Sequence, residues 1–192
     1  MIPKIMVRDN VLSEYGGIDW WIQEEAVFRE EFHGGEGFTI ARIPLDINEL
    51  MIEDMKKSLG DNVEPTYSFM RLSTDTIDSD MRIHSDSGMD AEFASVLYFN
   101  DPPEEGNYGT AFWDHEFHGK EFANNDIRES NRLLHEDSGD LTKWTMNDLV
   151  DMKKNRMVSY PTKFFHSRYP FEGWGKDKTD GRVVWVTFFN YA

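Results

Sequence analysis

The sequence predicts a mainly β protein, a double-sheet jelly roll with a layer of helices at its N-terminal end. Three observations lead there. Apolar residues recur at helical spacing only in the first third of the chain. From Glu64 onward the hydrophobic period drops to two, and the apolar runs that follow are short, numerous and irregularly spaced. The 192 residues suit a single domain, 1–192, with 1–62 as a helical support region. Residues 64–191 then form the core, interrupted by an insertion near 115–155.

Ile2 to Val7 is short and apolar and opens the chain as a strand. Asn10 or Ser13 can cap a helix bearing Trp20, Trp21, Ala26, Val27 and Phe28, with Gly16-Gly17 splitting the region in two. His33-Gly-Gly-Glu-Gly37 has the composition of a loop. Asp46 caps a second helix, whose stripe is Ile47, Leu50, Met51, Met55 and Leu59 and whose end is Gly60. Tyr67, Phe69 and Arg71 alternate with Ser68, Met70 and Leu72 as a strand does, and Ser73 to Asp80 is an acidic loop. Strands follow at Ala94–Phe99 and Tyr108–Asp114. Residues 115–155 are polar and charged, which predicts helical pieces, Met146–Lys153 among them. Arg156–Tyr160 and Lys163–His166 resume the sheet, and Arg182–Phe189 is the most strand-like run of all.

Thirty-six acids against twenty bases give a net charge of -16, which repels a phosphate backbone and argues against nucleic-acid binding by bulk charge. The same acidity favours a cationic or neutral partner. No cysteine is present, which excludes disulfides, thiolate zinc sites and a cysteine nucleophile and fits a reducing compartment. The first residues lack a signal peptide's apolar stretch, and no run approaches the roughly 20 apolar residues of a membrane span. The expectation is a soluble, cytoplasmic protein with no membrane partner; the sequence leaves its oligomeric state open.

The chemistry concentrates in Arg82-Ile-His84-Ser-Asp86. In an extended segment residues i and i+2 share a face, so His84 and Asp86 can reach one ion together. His166, beside a second apolar strand, completes two imidazoles and one carboxylate, the 2-His-1-carboxylate set that leaves coordination positions open on a divalent metal. Iron in an oxygenase and zinc in a hydrolase both accept it. Arg182 enters an otherwise apolar strand, where an unpaired charge is costly, and its planar fork suits the distal carboxylate of a 2-oxo-dicarboxylate. Arg168 is the rival for that carboxylate, and Asp114 for the metal. Tyr67 is a candidate hydrogen-bond donor to the same co-substrate or an ordinary sheet aromatic. His115 and His118, in an H-x-x-H with no helix or third ligand to support it, read as surface residues or the border of a site mouth.

H-x-D, a distant His and an Arg on the last core strand, in that order, resemble the Fe(II)/2-oxoglutarate-dependent dioxygenases. Ala94-Ser-Val-Leu-Tyr-Phe-Asn100 followed by Gly109-Thr-Ala-Phe-Trp-Asp-His115 is similar to a segment of small members of that family. The resemblance covers residues 64 to 191. It implies a double-stranded β-helix core, Fe(II) held by His84, Asp86 and His166, and 2-oxoglutarate held by Arg182. It further implies hydroxylation of a substrate with release of succinate and CO2. Two departures stand out: Arg182 follows His166 at longer than the family's usual spacing, and Val184 replaces the hydroxyl residue of the usual R-x-S. A jelly-roll protein that binds without turnover, or a cupin-like metal enzyme that uses no 2-oxo acid, would share much of this pattern.

Overall fold

The computed structural model describes residues 5–33, 36–76, 82–122 and 126–192. β1 (Met6–Asp9), α1 (Tyr15–Glu24), β2 (Arg29–His33), β3 (Glu36–Ala41) and α2 (Leu45–Leu59) precede β4 (Val63–Ser73). Then come β5 (Phe93–Tyr98), β6 (Gly109–His115), α3 (Ile127–Arg132), β7 (Trp144–Asp151), β8 (Arg156–Pro161), β9 (His166–Tyr169) and β10 (Arg182–Tyr191). The protein is mainly β, and its strands pair antiparallel throughout the described residues.

Two sheets form. The larger has the order β1-β8-β5-β10-β4-β3-β2, the smaller β7-β6-β9. A single bridge between His84 and His166 adds the segment after β4 to the free edge of β9. From β4 onward the partners are nested: β4 pairs with β10, His84 with His166, β5 with β8, and β6 with β7. The chain therefore crosses repeatedly between the two sheets.

Alternation along the strands gives the larger sheet two apolar faces. Met70, Leu97, Trp185 and Phe189 point one way and pack with Trp21 and Ile22 of α1 and Met51 and Met55 of α2. Trp185, Met51 and Met55 are fully buried, and each side chain of this kind contributes about 1.5–3 kcal/mol by leaving water. Val96, Tyr98, Val184 and Phe188 point the other way, toward Phe112 and Val150 of the smaller sheet. The helices thus back one face, and the other closes over a cavity.

Several elements depart from the sequence-based expectation. The N-terminal third is not wholly helical, because β2 and β3 form a hairpin that widens the large sheet. Its five-residue β2, Arg-Glu-Glu-Phe-His, is too polar to read as a strand, yet an edge strand tolerates that composition. Helix α1 runs through Gly16-Gly17 rather than breaking there; no Cβ contact constrains either glycine. Neither Asn10 nor Ser13 caps it with a side chain, and Asp46 lies in the first turn of α2, after Pro44 at the cap. Within 115–155, α3 is helical, but Met146 to Asp151 belongs to strand β7, paired with β6 and open to solvent on one side. β9 starts at His166 instead of ending there. Half of the expected acidic loop after Ser73, residues 77–80, lies outside the described residues, as do residues 2–4 of the expected opening strand, whose last two residues, Met6 and Val7, begin β1. No helix of the described residues is long and apolar enough to cross a membrane.

Ser13 has a different task from capping. Asp54, 2% exposed on α2, accepts hydrogen bonds from Ser13 N at 2.7 Å, Ser13 Oγ at 2.8 Å and Lys57 Nζ at 2.7 Å. Burial alone would raise this carboxyl, but Lys57 and the two Ser13 bonds outweigh it and hold the group below its ordinary value. The folded protein therefore binds this proton less readily than the unfolded chain. The contribution is complete above the ordinary carboxylate pKa of about 3.9 and is lost as pH falls through the lowered folded value. Asp54→Ala is expected to cost about 2–3 kcal/mol in urea denaturation at neutral pH, and the deficit should shrink toward zero in acid. A deficit that stays constant with pH would assign the loss to packing instead.

Candidate metal and carboxylate site

β4 delivers the chain to His84, and mutual backbone bonds then lock it to β9. His84 N donates to His166 O at 3.0 Å, and His166 N to His84 O at 2.9 Å. The two imidazoles are thereby brought together, ring centroids 4.4 Å apart. Asp86 N donates to Thr162 O at 2.7 Å, which brings its carboxylate in between them. His166 Nε2 lies 3.3 Å from Asp86 Oδ2, and His84 Nε2 lies 3.8 Å from Asp86 Oδ1. One donor atom from each residue falls within 4.8 Å of the others, the one such cluster of His, Asp or Glu ligands among the described residues.

The tautomers suit a cation. His84 Nδ1 faces the Arg82 carbonyl at 3.1 Å and His166 Nδ1 faces the Phe164 carbonyl at 2.9 Å. With Nδ1–H donating to a carbonyl in each ring, both Nε2 lone pairs are free and directed at the space beside Asp86. Burial first, then the neighbouring His166, pushes His84 down to about 4, so this imidazole is neutral at neutral pH and able to ligate. Burial would raise Asp86, but His166, His84 and Arg71 outweigh it and keep the carboxyl below its ordinary value. Two imidazole nitrogens and one carboxylate on one side fit a divalent transition metal with open positions.

These three residues line a cavity of about 250 Å³ between the sheets, and Arg182 lies on its wall. Arg182 is 5% exposed, and its Nε has no hydrogen-bond partner among the described residues. Its guanidinium carbon stands 5.4 Å from the centre of the Tyr98 ring, whose hydroxyl is 2.6 Å from Thr110 Oγ1. Asn100 fixes the backbone on both sides of it, donating to Gly181 O at 2.6 Å and accepting from Val183 N at 3.2 Å. Burial, followed by the like charge of Arg71, lowers Arg182 from its usual value. A buried guanidinium with an orphaned nitrogen and two hydroxyls nearby is a setting that a carboxylate would complete.

The long connection from His166 to Arg182 is closed by its own hydrogen bonds. Asp180 Oδ1 accepts from Lys176 N and Asp177 N, and Gly181 N donates to Asp177 O at 2.7 Å. Asp75 N donates to Gly175 O at 3.0 Å, and Lys178 Nζ reaches Ala26 O, so the loop is also tied to the core and to the end of α1. Gly173 sits so close to Thr74 that a Cβ would fall 1.9 Å from its carbonyl oxygen. The extra residues are packed away from the cavity and leave Arg182 at its wall.

The other sequence candidates separate. Arg168 lines the same cavity, its Nε donating to Phe171 O at 2.7 Å. Tyr67 lines it too, but 42% exposed at its rim and paired with Phe188, six residues along β10 from Arg182. The tyrosine beside Arg182 is Tyr98. Asp114 is not in the cluster; it accepts from Asn147 at 3.3 Å. His115 is not a surface residue. It is 2% exposed, stacked edgewise on Trp144 and 3.3 Å from buried Asp137, where it belongs to the packing of the smaller sheet. Trp144 is itself buried.

Arg71, Tyr98, Thr110 and Tyr160 also line or adjoin the cavity and were not picked out from the sequence. One signal was there to find Arg71: it shares the face of Tyr67 and Phe69, so it is a charge on an apolar stripe.

Comparisons with known proteins agree with this architecture. Solved structures similar to the chain include a Pseudomonas putida prolyl-4-hydroxylase, at 12% identity over 98% of this chain and 93% of that one, with a TM-score of 0.48. The non-heme alpha ketoglutarate dependent epimerase SnoN from nogalamycin biosynthesis matches at 10% identity over 96% and 78% of the two chains, with a TM-score of 0.55. The Fe(II)/(alpha)ketoglutarate-dependent dioxygenase TqaL matches at 10% identity over 94% and 88%, with a TM-score of 0.38. At these identities the likeness is one of fold, and of the three the SnoN superposition carries it. No curated protein matches the sequence. A family profile matches residues 47–189, a span that holds β4 to the greater part of β10 and with them His84, Asp86, His166 and Arg182. The chain belongs to that family, described as a family of unknown function (DUF6445).

Proposed function

We propose that the protein is an Fe(II)/2-oxoglutarate-dependent oxygenase that hydroxylates a substrate and releases succinate and CO2. The reading includes a double-stranded β-helix core within one domain spanning 1–192. The nesting of β4 with β10, His84 with His166, β5 with β8 and β6 with β7 supports that core, since a jelly roll pairs its first strand with its last and works inward. The observation that carries the functional reading is a convergence. A 2-His-1-carboxylate cluster and a buried arginine with an orphaned nitrogen share one cavity.

His84, Asp86 and His166 would hold the metal. Arg182, with the hydroxyls of Tyr98 and Thr110, would hold the distal carboxylate of 2-oxoglutarate. A ferrous ion with that co-substrate, when bound, supplies the oxidising chemistry that places an oxygen atom on a carbon–hydrogen bond. The chain's own part is to keep both imidazoles in the ligating tautomer through the Arg82 and Phe164 carbonyls, and to keep Arg182 in place through Asn100. The apolar walls, Val96, Val184 and Val186 among them, exclude water from the reacting centre. Tyr67, at the rim, faces the substrate side. The absence of cysteine fits work in a reducing cytoplasm.

The decisive experiment is anaerobic reconstitution with Fe(II) and 2-oxoglutarate, followed by exposure to O2. A visible charge-transfer band before O2 and succinate afterward, even uncoupled from any substrate, are expected. Wild-type protein that loads iron but gives neither would remove the oxygenase reading and leave a binding protein or a metal enzyme of another kind.

A further inference from the structure

The cavity is polarised along its length, and strand register shows how. On its large-sheet wall Arg182 lies opposite Ser73 at the inner end, and Arg71 is one two-residue step outward, opposite Val184. On the facing small sheet Arg168 lies opposite Thr110, whose hydroxyl meets that of Tyr98 beside Arg182. The guanidiniums of the described lining thus belong to the inner part, where Arg168 donates to Phe171 O and Arg71 stacks on Phe38.

The next two rows of the large sheet carry no charge on this face. Val186 is flanked by Val96 and Phe69, and Phe188 by Ala94 and Tyr67, with Tyr160 beyond Ala94 on β8. The metal cluster faces these outer rows. His166 pairs with Phe112, one step outward from Arg168, and its ring stands 4.6 Å from that of Tyr160. Asp86 is tied further out still, to Thr162. On the oxygenase reading 2-oxoglutarate takes the charged end, and a substrate is left the apolar one. The cavity's size suits a small molecule rather than a folded domain.

Tyr160 is the exception in that apolar end. It is 2% exposed, its ring lies edge-on to Phe112 at 5.1 Å, and it borders the cavity. Its hydroxyl makes no hydrogen bond among the described residues. Leaving a buried hydroxyl unpaired is costly, and Tyr98 shows the alternative by meeting Thr110 at 2.6 Å. Tyr67, on the same row, is 42% exposed and can turn to water instead. Phenols are protonated at neutral pH, and burial pushes Tyr160 further up, so the group is a donor.

Resting on the oxygenase reading, we propose that the substrate is a small uncharged molecule with an apolar body and one carbonyl or hydroxyl oxygen, which accepts a hydrogen bond from the Tyr160 hydroxyl beside the metal cluster. Phe112 and His166 hold the ring, so β8 sets where the acceptor lies and with it which carbon–hydrogen bond is offered to the metal. An uncharged ligand also escapes the repulsion that a net charge of -16 imposes on anions.

The test uses full-length protein loaded anaerobically with Mn(II) and saturating 2-oxoglutarate. The probes are acetophenone and its isostere α-methylstyrene, in which a methylene replaces the carbonyl oxygen. Relaxation of the probe protons by the bound Mn(II) reports both affinity and closeness to the cluster. Tyr160→Phe, which keeps the ring and its packing, is expected to weaken acetophenone at least about fivefold and α-methylstyrene less than about twofold, with Mn(II) and 2-oxoglutarate affinities unchanged. A merely structural role would change both probes alike. That result, or acetophenone protons that Mn(II) does not relax in the wild type, would overturn the inference and leave the oxygenase reading standing. Failure of 2-oxoglutarate itself to bind the Mn(II)-loaded wild type would bring down the oxygenase reading, and the inference with it.

Discussion

His166→Ala is expected to abolish metal retention and, with it, succinate formation. The substitution removes one of two imidazole donors and leaves Asp86 with a single imidazole partner across the cluster. Loss of outer hydrogen bonds to metal ligands typically costs about 10–100-fold in affinity, so loss of a ligand itself should exceed about 100-fold. Folding should survive, because His84 and His166 are joined through their main chains and those bonds need no imidazole. Mn(II) binding followed by electron paramagnetic resonance, with circular dichroism as the control for folding, gives both readouts. A variant that is folded and still holds metal at wild-type affinity would exclude His166 as a ligand.

The second large effect belongs to Arg182, and it has two opposite signs. Arg182→Met should weaken 2-oxoglutarate by about 2–5 kcal/mol, the usual cost of deleting one partner of a buried, hydrogen-bonded charge pair. Metal binding should be unchanged. The ligand-free protein should be as stable as wild type or more so, since the substitution removes a buried cation whose Nε has no hydrogen-bond partner among the described residues. Calorimetric titration with 2-oxoglutarate and thermal denaturation with and without it separate the two. Unaltered 2-oxoglutarate affinity would move the carboxylate to Arg168 and away from the end of the cavity that Asn100 and Tyr98 define.

The features legible in the sequence are those that local physics makes visible. β5 and most of β10 are buried on both faces and read as apolar runs broken only by Ser95 and Thr187. His84 and Asp86 are close because they are neighbours in an extended segment, which spacing alone states. What stayed hidden depends on partners remote in sequence. β7 and β2 are polar because each has a solvent side, and a polar strand is hard to tell from a loop or a frayed helix until its partner is known. Tyr98 stands beside Arg182 only because the strands are stacked in this order, and Arg71 lies one step from Arg182 only because β4 and β10 pair in this register. His115 misled for a related reason: its buried neighbour Asp137 ends the single π-helical turn Leu133–Asp137 that packs beside it, and no local pattern announces that.

The nested pairing also bears on how the chain reaches this state. β6 and β7 are the innermost partners, β5 and β8 enclose them, the His84–His166 bridge encloses those, and β4 with β10 forms the outermost pair. Each outer pair closes a loop already shortened by the pair inside it, so the entropic cost of joining β4 to β10 is spread over successive steps. High contact order of this kind makes for folding slower than that of a helical bundle of equal length. The candidate metal ligands lie on or beside the next-to-last of these pairs. Assembly of the cluster is therefore a late event, and a bound ion would act chiefly by slowing unfolding rather than by speeding collapse.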